Sequence, residues 1–440
     1  MDIRTLAQQA EEYVIGLRRD LHRHPELSGE EKRTLGVIER ELTAMGIPYT
    51  VVPNGGILGF LDGADPSGKT VLLRADCDAL PIRENPENLA GPRCCVSEND
   101  GVMHACGHDG HTAMLLGAAK ILSQHREAIH GRVILLFERG EEGRGNLFTL
   151  LAYMEQQGIT ADTCWGAHLY ADLESGRVSL RPGPVMATGV AFDITIHGTG
   201  GHGSRPDQAN SPIDCFVAIY QALQAARMTK ISPFEQLTFS VGTVSAGSVG
   251  NVIPSELRVK GGARVLDREK AGKPFAEELR RKVDGLAAAY GCTVTYHRLG
   301  GGGPLVVYND PACTELAQKL LAEQLGEEAI VQADPWMGSE SFSLLQRLYP
   351  GVFALIGIRN PEKGTGAAHH NEYFDIDEDA LKLGVIGAVA YALGFLEHPI
   401  ETDSRKWHGT LRELYADKGD TPAMIERYYE LLTAPDPALS

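Results

Sequence analysis

The run His104-Ala105-Cys106-Gly107-His108-Asp109-Gly110-His111 puts four metal-capable side chains, His104, Cys106, His108 and His111, within eight residues. Imidazole and thiolate are the donors that zinc-like divalent cations select. One short loop cannot fill a coordination shell. A chain that uses it for metal must fold so that distant segments converge on it. The sequence offers such segments in Glu141-Glu142, His168 and His369-His370. The pattern points to a metal-dependent hydrolase rather than a structural zinc site.

At 440 residues the chain is long enough for two or three domains. Its net charge of −17 argues against nucleic acid or an anionic membrane as partner. The N-terminal stretch MDIRTLAQQAEEYVIGLRRD is charged throughout and lacks the apolar centre of a signal peptide. The longest apolar run, Leu383 to Leu396, is short for a membrane span and reads as a buried helix. The eight cysteines show no regular framework, and a chain of this length needs none. Adjacent Cys94 and Cys95 read as reduced thiols. The expected location is the cytoplasm.

Short apolar runs alternate with helical stretches over the first part of the chain. Val71-Leu72-Leu73 and Val133 to Phe137 read as strands, and residues 4–22 and 111–124 as helices. Ser28 with Glu31 three residues on predicts a capping box that opens a second helix. Continuous apolar strands between helices predict an α/β fold, a mostly parallel sheet covered on both faces. Beyond Pro182-Gly183-Pro184 the pattern changes to a β-α-β-β-α-β order. Strands are expected at 191–196, 237–244, 256–265 and 293–296, and helices at 212–226 and 274–290. This is a ferredoxin-like α+β unit, and Gly300 to Gly303 reads as a hinge back. The expectation is a discontinuous catalytic domain, 1–186 and 301–440, with residues 187–300 inserted. The tail after His398 is charged and helical in places.

The strand Val133–Phe137 ends just before Glu141-Glu142. Ligands of parallel sheets bind beyond the carboxyl ends of strands. Adjacent carboxylates there need positive charge nearby. One would ligate a metal, and the other would take a proton from an activated water and pass it to a leaving amine. His168 is expected at the end of a strand Cys164 to Ala167, and His370 after the turn Gly364-Thr365-Gly366. Each also fits a packed core histidine, the commoner use of a lone His. In the inserted unit, His202 is ringed by glycines in Gly198-Thr199-Gly200-Gly201-His202-Gly203-Ser204, which suits close approach to a ligand or partner backbone. Asn251 and Arg264 could hold a carboxylate. The bland reading of Arg264 is a surface ion pair of little worth.

LRRDLHRHPELSGEE, LLRADCDALPI, GVMHACGHDGHT, the EEG at 141–143, the GAH at 166–168, GTGGHGSRP, NVIP and HHNEYFDIDEDAL together resemble one family. It is that of the co-catalytic metallopeptidases of the aminoacylase and carboxypeptidase G type. The resemblance is closest to the amidohydrolase branch that includes hippurate hydrolase and indole-acetyl-amino-acid hydrolase, and it runs from about Arg18 to Leu396. It implies Cys106, His108, Glu142, His168 and His370 as ligands of two divalent ions per subunit. Zn²⁺ or Mn²⁺ is expected, with Co²⁺ or Ni²⁺ as further candidates. It implies Glu141 as general base and acid, and Asp78 as a residue that orients a metal histidine. It implies that His202 reaches across a dimer interface to the scissile carbonyl, and that Asn251 and Arg264 contact substrate. The inserted unit then corresponds to a lid and dimerisation domain.

Three positions depart from the family pattern. The usual Gln-Pro-Ala before the glutamates is Glu138-Arg139-Gly140, which predicts a charge pair beside the base. The His expected after GxxP is Asp207, and the usual Glu-Asp-Phe is Glu340-Ser341-Phe342. The reading is a metal-dependent amidohydrolase that releases a carboxylic acid and an amino acid from N-acyl amino acids. It would act as a homodimer through the inserted domain, or as a higher homo-oligomer. Its rivals are a carboxypeptidase or dipeptidase on the same scaffold and a non-catalytic metal- or amino-acid-binding protein.

Overall fold

The chain begins with two helices, α1 (Ile3–Arg23) and α2 (Lys32–Ala44), and an antiparallel hairpin, β1 (Tyr49–Val52) and β2 (Gly56–Asp62). Then come β3 (Lys69–Asp76), α3 (His108–Gln124), β4 (Gly131–Glu138), α4 (Leu147–Gln157) and β5 (Thr163–Glu174). The computed structural model describes all residues except 64, 66, 67, 144, 301, 302, 403, 404, 437 and 440. Residues 301 and 302 of the expected hinge therefore lie outside the described residues.

A second run of elements forms its own sheet: β6 (Thr188–His197), α5 (Pro212–Lys230), β7 (Leu237–Ala246), β8 (Glu256–Val265), α6 (Lys273–Ala289) and β9 (Thr293–Leu299). The strands lie in the order β7-β8-β6-β9 and are antiparallel throughout. Burial alternates along β6, and the inward residues Val190, Phe192, Ile194 and Ile196 join a core that includes Leu223, Phe275 and Leu279 from the two helices. This core is separate from those around the first sheet.

The chain then adds α7 (Pro311–Leu325), β10 (Val352–Arg359), α8 (Leu381–Glu397), α9 (Leu411–Lys418) and α10 (Pro422–Glu430). The first sheet has eight strands, β1-β2-β4-β3-β5-β10 and then two-residue strands at Val178–Ser179 and Ile330–Val331. β4, β3, β5 and β10 are mutually parallel neighbours, and β1 and β2 form an antiparallel edge. Successive side chains of a strand point to opposite faces, so one apolar run feeds two cores. Val71 and Leu73 of β3 enter the core under α1, α3 and α8, while Leu72 enters the other. α8 is apolar enough in length and composition to cross a membrane, but 89% of its most apolar stretch is buried in the protein.

The second core holds Leu147 and Leu150 of α4 together with Leu411, Leu414, Tyr415 and Ile425 of the tail. The tail is thus part of the fold. One local expectation fails. α2 starts at Lys32 without a side-chain cap. Ser28 Oγ instead donates to Asp78 Oδ2 at 2.6 Å, and the Glu31 carboxylate accepts from Gly29 N and Gly140 N. Long-range partners take both members of the expected capping box.

Candidate active site

The ends of β3 and β4, the middle of β5, the start of α3 and the loop before α8 meet at one place. Gly107 makes the start of α3 usable. Its φ of +91° suits glycine, and the turn it makes leads Cys106 directly into the helix that begins at His108. Donor atoms of Cys106, His108 and His168 lie within 4.8 Å of one another, as do those of Cys106, Glu142 and His370. Cys106 Sγ is 3.5 Å from His168 Nε2, and His370 Nε2 is 2.9 Å from Glu142 Oε1. His370 holds a φ of +61°, rare for a residue with a side chain and frequent where function constrains the backbone.

The nitrogens turned away from this centre are occupied. His108 Nδ1 is 3.0 Å from Asp78 Oδ1, and His168 Nδ1 donates to Leu169 O at 2.7 Å. Both rings therefore present Nε2, as metal histidines do. Asp78 is held in turn by Ser28 Oγ and Glu142 N. Burial pushes the Cys106 thiol well above its ordinary range, so a thiolate there calls for a cation. Burial also opposes charge on His108, but Asp76, Cys106 and Asp78 outweigh it and hold its pKa well above the usual value. The cluster draws positive charge to this point, which a divalent ion would supply in place of a proton. Burial pushes His168 well below its ordinary range, so its ring is neutral and suited to ligation. Thiolate, imidazole and carboxylate together fit two adjacent divalent ions.

A third group, Asp76, His108 and His111, has similar spacing. It is a weaker ligand set, because His111 Nδ1 donates to Asp76 Oδ1 at 2.7 Å and its Nε2 accepts from Leu169 N. Both His111 nitrogens are used. His104 is buried apart, without a hydrogen-bond partner for either nitrogen, and burial lowers its pKa to about 4. Of the four metal-capable residues of the loop, the geometry therefore favours two. His168 lies within the twelve-residue β5 and not at a strand end as expected. His369 supports the centre rather than joining it. Its Nε2 accepts from Ala171 N, which leaves the ring proton on Nδ1, 4.0 Å from Cys106 Sγ.

Glu141 is half-buried among carboxylates. Burial, then Glu340, Glu142 and Glu138, push its pKa well above the ordinary value against the pull of Arg74. Its Oε1 accepts from Ser341 N at 2.9 Å. The expected pair between Glu138 and Arg139 does not form, because consecutive residues at a strand end point apart. Glu138 meets Arg74 through Nε at 2.8 Å and Nη2 at 2.6 Å, and Ser341 Oγ donates to it at 2.7 Å. Arg139 turns instead to Glu31 and Asp436. Two departures thus compensate: the carboxylate expected at 341 stands at 138, across the same contact. Neither Asp76 nor Arg74 was singled out in the sequence, although both sit inside the LLRADCDALPI motif.

Arg74 is shared by Asp76, Glu138 and Glu340. Burial leads the causes that push Glu138 up from 4.5 to about 7. The folded chain keeps a proton that the unfolded chain releases across this window. Stability contributed there falls as pH rises, by about 3 kcal/mol at most. Glu138→Gln should therefore lose less thermal stability than the parent between about pH 5 and about pH 8. Parallel pH profiles would contradict the shift.

The inserted unit carries three further candidates. His202 is exposed, with Nδ1 accepting from Ser204 Oγ at 2.7 Å. It pairs with Val252 in a two-stranded ladder. A Cβ at Gly203 would stand 2.9 Å from the Asn251 carbonyl oxygen, so the glycine run admits this close pairing. Arg264 Nη1 donates to Ser339 Oγ at 2.7 Å, two residues from Ser341. Asp207 pairs with Arg205 at the surface. Among the described residues, the metal-capable groups do not contain His202.

Residues 72–392 match the family model described as Peptidase family M20/M25/M40. The chain belongs to this family. Thermostable carboxypeptidase 1 of Saccharolobus solfataricus is 34% identical over 392 residues, 88% of this chain and 96% of that protein. An N-acyl-L-amino acid amidohydrolase of Geobacillus stearothermophilus is 37% identical over 70% of this chain and 82% of its own length. The YXEP protein of Bacillus subtilis, described as a dinuclear metal binding peptidase, has a similar structure. Its TM-score is 0.74 at 30% identity, over 89% of this chain and 99% of that one. The M20-family chain described here is a hydrolase with an α/β fold and a large, mostly parallel sheet.

Proposed function

We propose that this M20-family hydrolase cleaves the amide bond of N-acyl amino acids, releasing a carboxylic acid and an amino acid. The observation that carries the reading is the paired donor groups sharing Cys106, with the half-buried Glu141 beside them. Cys106, His108, Glu142, His168 and His370 would hold two divalent ions, zinc or manganese. When bound, the ions would polarise the scissile carbonyl and make water a better nucleophile at neutral pH. Glu141 takes the proton of the attacking water and returns it to the leaving amine. Its raised pKa suits that second step. Asp78 orients His108, and Ser341 N–H fixes Glu141.

Residues 187–300 act as lid and dimerisation domain between 1–186 and 301–440. Large exposed apolar residues concentrate there, among them Ile213, Val217, Tyr220, Phe234, Val244 and Val252. β7 is an edge strand of the inserted sheet. Such a patch beside an open strand edge supports pairing with a second copy. His202 would then reach the partner's carbonyl oxygen, while Asn251 and Arg264 hold the substrate carboxylate. All eight cysteines are free, which supports a reducing cytoplasm.

A carboxypeptidase reading is favoured by the names of two relatives. Amine release from a panel of N-acyl amino acids and dipeptides separates the two. Chelated protein should be inactive, zinc or manganese should restore it, and N-acyl amino acids should exceed dipeptides in kcat/KM. Higher kcat/KM on dipeptides would favour the carboxypeptidase. No metal-dependent release from either class would overturn the hydrolase reading.

A further inference from the structure

Arg139 is 1% exposed, two residues before Glu141. A buried guanidinium costs several kcal/mol unless it is paired and hydrogen-bonded. Its Nε donates to Glu31 Oε2 at 2.9 Å and its Nη2 to Gly29 O at 2.9 Å. Its Nη1 donates to Asp436 Oδ2 at 2.7 Å, a partner 297 residues further along the chain. Asp436 is itself buried and also accepts from Asn54 N and Ala438 N. The tail is tied down beside it, because Asn54 Nδ2 donates to Leu431 O and Ala434 O.

Two routes lead from Arg139 to the chemistry. Glu31, held by Arg139, accepts from Gly140 N at 2.8 Å, and Gly140 precedes Glu141. The Gly29 carbonyl, held by Nη2, follows Ser28, whose hydroxyl donates to Asp78, the partner of His108. The family match ends at residue 392, so the strap that supplies Asp436 lies beyond it.

We propose that the tail is an intramolecular strap, and that Asp436 is a positioning residue that holds the Glu141 loop through Arg139. Asp436 balances the Arg139 charge, the arginine fork fixes the Gly29–Glu31 turn, and that turn fixes Gly140 and Asp78. The inference rests on the reading of Glu141 and His108 as site residues.

Asp436→Asn keeps the size of the side chain and an acceptor for Asn54 N but removes the charge. Measured per folded, metal-loaded chain, it should lower kcat about tenfold or more with KM nearly unchanged, as partners of site residues do. In an Arg139→Gln background, where no buried cation needs neutralising, the same change should cost little. Such coupling is what a double-mutant cycle reads. Equal kcat in parent and Asp436→Asn, or an equal loss in both backgrounds, would overturn the strap. A loss confined to thermal stability would do the same. The two readings fail separately. If the parent protein hydrolyses nothing, the functional reading falls, and the cycle is read as zinc affinity of the chelated protein. A loss of affinity that vanishes with Arg139→Gln is then expected, and an unchanged affinity overturns the strap.

Discussion

Glu141→Gln is expected to bind metal as the parent does and to lose kcat by about 10²–10⁴-fold, the range for removing a positioned general base. The Gln carbonyl can keep the bond from Ser341 N that fixes Oε1. The paired groups through Cys106 do not include Glu141, and in the group it forms with His108 and Glu142 the Gln carbonyl oxygen still offers a donor, so both sets through Cys106 survive. What disappears is a half-buried carboxylate, raised in pKa by desolvation and its carboxylate neighbours, next to a ligand candidate. Activity within about tenfold of the parent, with metal content equal, would remove Glu141 from its role.

His202→Ala is expected to cost about 10²–10³-fold, as loss of an oxyanion donor does. Mixing it with Glu141→Gln should restore activity. In a mixed dimer one site has Glu141 from one chain and His202 from the other. Random exchange makes half of the dimers mixed, so about a quarter of parental activity should return. The exposed position of His202 and its absence from the metal-capable groups of its own chain motivate the test. Proven subunit exchange without recovery would place His202 in its own subunit's site or outside the reaction.

The fold was largely legible because its signals are local. The runs around 71–73 and 133–137 are long enough and apolar enough to be buried strands, and β8 spans 256–265 as read from its pattern. The paired glutamates stood out for the same reason, as they follow a buried strand. Contacts between distant residues outside the metal-capable cluster were not legible. Ser28 and Glu31 have the spacing of a cap, but partners at 78, 139 and 140 claim them. Glu138 and Arg139 are neighbours in sequence and belong to separate networks, one closed by Ser341 and the other by Asp436. No local pattern announces that Arg139 will meet Asp436 or that Glu138 will meet Ser341. The loop 104–111 carries more metal-capable side chains than the Cys106 centre gathers, because His111 is engaged by Asp76 and Leu169 N–H.

The most direct measurement is a titration of chelated protein with Co²⁺, following the thiolate-to-cobalt absorbance and amine release together. A centre that would hold two ions with Cys106 among its ligands predicts that hydrolysis saturates at two equivalents per chain, that the absorbance appears as the ions bind, and that Cys106→Ala loses both. Saturation at one equivalent, no thiolate band, or hydrolysis indifferent to metal would contradict it.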